Sequence, residues 1–180
     1  MSVVTEGVSA FHLEHAGSAV ARIARSYDPQ GQVNLAGFAG SLATYAATVG
    51  VLVAASRTAG RGLPERYTVA DVVLGGLATH KFTRLLSKAS VTSPLRAPFT
   101  RFERPAGSAE HDEAARGSHG ARHTVGELLT CPFCLAVWVG TGYVASLALA
   151  PRPARTWAAV FAVTAVSDSL QHLYARLRDD

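Results

Sequence analysis

Two stretches without a single charged residue constrain this chain most. Residues 35–56, LAGFAGSLATYAATVGVLVAAS, and residues 128–150, LLTCPFCLAVWVGTGYVASLALA, each run past twenty residues. As helices, at about 1.5 Å per residue, each is roughly 33 Å long, enough to cross a ~30 Å hydrocarbon core. Buried helices of soluble domains rarely stay uncharged for so long, so both segments are predicted to span a membrane. Pro151 and Pro153 stop the second one. The competing reading is a soluble alanine-rich bundle, because spacings such as Ala39, Ala43, Ala47 and Gly142, Ser146, Ala150 suit close helix packing in either solvent.

Two further segments are weaker. Residues 68–86 carry Asp71, His80, Lys81 and Arg84, and residues 157–177 carry Asp168 and His172. Beside two apolar spans, such helices are expected to turn their ionisable groups toward the bundle interior or the head-group zone. The predicted fold is therefore all-α, a membrane bundle of about four helices over residues 35–180 with a long loop at 87–127. Residues 1–34 form an N-terminal extension without the apolar core of a signal peptide. Within it, Phe11 to Tyr27 could form an amphipathic interfacial helix.

Charge sets the orientation. With four spans, the N-terminus, the central loop and the C-terminus share one side, which collects twelve of the seventeen Lys and Arg residues. The short connections hold Arg57, Arg61, Arg66, Arg152 and Arg155. The positive-inside bias places both termini and the loop in the cytoplasm. In the loop, Leu95, Phe99 and Phe102 interleave with Arg96, Arg101 and Arg104, a composition suited to anionic lipid or to a basic loop folded over the bundle. The segment AGSAEHDEAARGSHGARH lacks apolar anchors and is expected to be mobile. The net charge of +4 belongs to these juxtamembrane positions, and no nucleic-acid module accompanies it.

Cys131 and Cys134 are the only cysteines. Spacing three puts both on one helical face, and Pro132 fits a helix capped by Thr130 or Cys131, where the helix dipole favours thiolate. Three uses stay open. Zinc is the first, with Cys131, Cys134, His80 and His172 meeting at the cytoplasmic ends of their helices, or with His119 and His123 joining the cysteines in H-x3-H-x7-C-x2-C. Thiol–disulfide exchange is the second; C-P-F-C resembles the active-site strings of glutaredoxin-like proteins, and a four-helix membrane protein with a Cys-x-x-Cys resembles quinone-coupled thiol oxidoreductases. A preceding β-strand and a second cysteine pair are both missing. Packing alone is the third. A cytoplasmic location favours reduced thiols.

Asp71, His80, Asp168 and His172 also invite an ion pathway, although Asp71 lies near the outer end of its helix and the histidines near inner ends. Trp138, Tyr143 and Trp157 read as interface or packing aromatics.

The strings THKFTRLL, SPLRAPF and ELLTCPFC followed by Trp138 occur in that order. Over residues 67–174 the chain resembles a family of small uncharacterised bacterial membrane proteins, a domain of unknown function of actinobacteria and bacilli, some of whose members are labelled sporulation-associated. The resemblance implies an integral membrane protein and no reaction. It singles out Thr79, His80, Arg84, Pro94, Arg96, Pro98, Phe99, Glu127, Cys131, Pro132, Cys134 and Trp138. The sequence thus points to a multi-pass protein of the bacterial cytoplasmic membrane, a non-enzymatic scaffold or partner-binding subunit with a CxxC site. Its expected contacts are the bilayer and a protein partner or second copy, without nucleic acid. A membrane thiol–disulfide oxidoreductase using Cys131 and Cys134 is the alternative.

Overall fold

A computed structural model describes residues 21–60, 66–107 and 109–178. The first ten residues of the expected interfacial helix, 11–20, lie outside the described residues, and 21–27 are helical. The chain is mostly helical. Helix α1 is Leu35–Thr58, α2 is Val69–Ser87, and after a 3-10 turn at Ser90–Thr92 comes the short α3, Ser93–Arg96. Strands β1, Thr100–Pro105, and β2, His111–Ala115, lead into α4, Ala121–Thr130, then α5, Pro132–Leu149, and α6, Pro151–Arg178.

Local chemistry starts these helices. Asn34 caps α1 by accepting the Gly37 N–H at 3.3 Å, and Thr68 caps α2 by accepting the Asp71 N–H at 3.0 Å. Cys131 caps α5, with its sulfur 3.1 Å from the Cys134 nitrogen and Pro132 just inside the helix. Residue 131 is extended, with φ −108° and ψ 100°, so α4 and α5 are two helices where the sequence suggests one span beginning at Leu128. Proline at the first helical position likewise starts α6 at Pro151, ahead of the expected start at Trp157.

The bundle core lies between α2, α5 and α6. Ala78, Tyr143, Leu147, Ala154 and Ala158 form it, with Leu74, Trp157 and Phe161 packed against them. Phe82 meets Trp157 and Phe161 edge-on at 5.2 and 4.9 Å between centroids. Gly75 is required by closeness, since a Cβ there would collide with the Tyr143 ring. Helix α1 leans on α5 through Tyr45, which meets Trp138 edge-on and whose hydroxyl is 2.7 Å from that of Thr141.

Two expectations are corrected. The chain is not all-α, because β1 and β2 pair antiparallel, with an irregularity between Phe102 and Arg104. The segment expected to be mobile holds β2 and the start of α4, and Gly107, with φ +80°, helps turn the hairpin. Its inward positions are Thr100 and Glu113, so no apolar alternation announces it. Of the four expected spans, only Leu35–Thr58 and Pro132–Leu149 are long and apolar enough to cross a membrane. Polar and charged side chains lower α2 and α6 below that standard; of these, Asp71 pairs with Arg155 and Lys81 with Asp168 across the two helices, while Arg84 pairs with Glu110.

Candidate functional site

The hairpin is organised around Arg96, which is 1% exposed. Its guanidinium forks onto Glu113, donating from Nε at 3.0 Å and from the terminal nitrogen at 2.7 Å. It also donates to the carbonyls of Leu86 at 2.9 Å and Ala89 at 3.1 Å, and to the Thr92 hydroxyl at 2.7 Å. The Thr100 hydroxyl donates to Glu113 at 2.6 Å and Ser93 donates at 3.2 Å. Burial pushes the Glu113 carboxyl up, but the hydrogen bonds from Arg96, Thr100 and Ser93 together hold it below its ordinary value. Arg96 therefore joins the end of α2, the 3-10 turn, α3 and β2. It does not reach out to lipid head groups, whereas Arg101 and Arg104 are exposed.

This module is tied to the helices at several points. Ser90 donates to the Ala109 carbonyl and His111 to that of Lys88, both at 2.8 Å. Gly126 of α4 lies so close to the hairpin that a Cβ would stand 2.5 Å from the Phe99 carbonyl oxygen. Glu127 and Thr124 accept from Asn34 at 3.1 and 2.7 Å, which pins the start of α1 to α4.

Between the module and the second halves of α2 and α6 opens a cleft of about 820 Å³. His80, Lys81 and Arg84 line it from α2, Asp168 and His172 from α6, and Glu110 from the hairpin. Positions 80 and 84, and 168 and 172, are one turn apart and so share a helical face. Lys81 forms an ion pair with Asp168, and Arg84 donates to Glu110 at 3.2 Å from Nε. Each cation here already faces a carboxylate, so the cleft is charge-balanced.

The opposite end of the bundle holds Asp71, which is 6% exposed. Arg155 donates to both its oxygens, at 2.7 and 3.1 Å, and Tyr143 donates to its backbone carbonyl at 3.1 Å. The pairing of Asp71 with Arg155 at one end, and of Asp168 with Lys81 at the other, separates the groups that an ion pathway would link.

Cys131 and Cys134 are joined to each other as a disulfide. This corrects the expectation of reduced thiols; the first turn of α5 brings the two Cα atoms to 5.3 Å, within bonding reach. Among the described residues no group of three or more His, Cys, Asp or Glu is placed to hold a metal. His80 and His172 share the cleft, while the cysteines cap α5, and nothing in the geometry supports zinc.

A family model described as "Protein of unknown function (DUF1360)" matches residues 74–174. The chain belongs to the DUF1360 family. No curated protein and no solved structure matches it. The DUF1360 region contains the cleft, the Arg96 module, the cysteine turn and most of α6, and leaves out α1 and Asp71. Of the residues singled out by sequence, His80, Arg84, Asp168 and His172 come together in the cleft. Arg96 holds the hairpin, Glu127 receives α1, and Trp138 packs against Tyr45. Sequence reasoning missed Glu113, which sits among ordinary surface charges in the chain, and Asn34. The latter was legible as a cap directly before an apolar run.

Proposed function

We propose that this DUF1360 protein is a multi-pass component of the bacterial cytoplasmic membrane. In this reading it is a non-enzymatic scaffold whose helices carry the Arg96 module to one face, where a protein partner or a second copy docks. The observation that carries the reading is the outward face of α1: over its whole length only Ser56 is buried, while Leu42 and Val51 are exposed. A core helix of a soluble protein is mostly enclosed, so an apolar helix left open on this scale fits a lipid surround. Val137 on α5 and Val160 and Val163 on α6 are also exposed, so the apolar surface continues around the bundle. The ion pairs Asp71–Arg155 and Lys81–Asp168 bridge α2 and α6, as expected of polar groups in embedded helices. The excess of basic residues on the module's side supports a cytoplasmic placement of that face and of both termini.

Extraction of bacterial membranes with alkaline carbonate, followed by spin labels at Leu42, Val51 and Val163, tests the embedding. Retention in the pellet with all three labels accessible to oxygen and shielded from a water-soluble relaxant is expected. Release into the supernatant overturns it. Crosslinking in intact membranes through residues of the module tests the scaffold role, with a discrete crosslinked species expected and uncrosslinked monomer alone refuting it.

A further inference from the structure

Neither Cys131 nor Cys134 belongs to the bundle core or to the Arg96 network. The two sulfurs are chemically unequal. Cys134 is exposed, whereas Cys131 is half-buried and caps α5, its sulfur accepting the Cys134 N–H at 3.1 Å. Between them Phe133 stands 86% exposed on the first turn of α5, beside the exposed Cys134. A disulfide exchanges readily when one sulfur is accessible and the other departs as a stabilised thiolate.

We infer that the Cys131–Cys134 disulfide is an exchange site for a protein dithiol, with attack at Cys134 and departure of Cys131. The partner's first thiolate bonds to Sγ of Cys134 and breaks the bond to Cys131. The electron pair leaves on Sγ of Cys131, which the N–H of Cys134 and the positive end of α5 stabilise. The partner's second thiolate then attacks its own sulfur in the mixed disulfide and releases Cys134, which takes up a proton. This chain is reduced by two electrons and the dithiol is oxidised to its disulfide; the reverse sequence restores the starting state. The inference does not depend on the scaffold reading.

The test uses the full chain in mild detergent. The wild-type protein is equilibrated with mixtures of reduced and oxidised glutathione, then alkylated with a polymer-tagged maleimide that reports thiols as a gel shift. Reversible conversion between forms with no thiol and two thiols, midway within the glutathione series, is expected. A disulfide that stays intact throughout is structural and overturns the inference. Cys134→Ser and Cys131→Ser then compare the remaining thiols. Their alkylation-rate ratio, Cys131 over Cys134, should rise about tenfold from about pH 9 to about pH 6, because accessibility cancels and only the thiolate fraction changes. A constant ratio refutes Cys131 as the leaving group. Glutathione should also form a stable mixed disulfide on Cys134 in Cys131→Ser, and its absence counts against attack at that sulfur. If either variant fails to fold, the wild-type equilibrium still decides whether the disulfide exchanges, and alkylation of the partly reduced wild-type protein followed by peptide mapping decides which sulfur carries glutathione.

Discussion

In the bundle core the most enclosed side chains are those of Ala78 and Ala158, whereas in the hairpin module they are those of Arg96 and Thr100. The bundle closes on small residues that let backbones approach, and it turns Val160, Val163 and Leu170 outward. The module does the reverse, with Arg101 and Arg104 outside and an ion pair within. The four long helices thus enclose few apolar side chains, while the hairpin of residues 100–115 is fixed by directional polar bonds. One chain holds two parts suited to different surroundings, joined at Gly126, Asn34 and the end of α2.

The sharpest way to break this comparison is Arg96→Ala, which leaves the Glu113 carboxylate buried without its partner. A cost of about 3–5 kcal/mol is expected, with hydrogen exchange rising across residues 86–115 while residues 135–165 stay protected. Equal loss of protection in both regions would make them a single cooperative unit. Next comes Gly126→Ala, expected to cost about 1–3 kcal/mol because its new methyl meets a backbone carbonyl. Gly75→Ala should cost a similar amount, since the Tyr143 ring it meets is buried in the core and held by its bond to the Asp71 carbonyl; thermal unfolding of the two variants in the same detergent checks both.

Acid should separate the parts further. The folded value of Glu113 lies below its unfolded value of 4.5, so the carboxylate contributes fully above about 4.5 and its contribution fades as pH falls through the folded value. Exchange within residues 97–115 should accelerate as pH drops below about 4.5, after correction for the intrinsic rate. In Glu113→Gln that region should exchange quickly with no such pH step. The smallest effect belongs to Lys81→Ala, whose partner Asp168 is 44% exposed on its side chain. A change within about 1 kcal/mol in thermal stability is expected, and a loss as large as that of Arg96→Ala would show that the cleft is as rigid as the module.

The helices were legible because uncharged length is a local property. Residues 35–56 and 128–150 carry the signal in themselves, and the caps at Thr68 and Cys131 follow from neighbouring residues. The hairpin was not legible, since Arg96 and Glu113 are seventeen positions apart and each looks like a solvated charge until the other is opposite it. The cleft was half legible: the placement of His80 and His172 at one end of the bundle followed from counting helices, but Glu110 reaches that cleft only through the turn of the hairpin.

What the sequence determined by itself is the set of long helices and the family, because each depends on local composition and order. What only the tertiary structure decided is which charges are spent on one another. Arg96 becomes a buried strut instead of a lipid contact, Asp71 and Asp168 become bridges between α2 and α6, and the cysteines meet each other instead of the histidines. The reason is physical: an ionised side chain takes its character from the partner and the solvent within a few ångströms, and that neighbourhood is set by chain segments far apart in sequence.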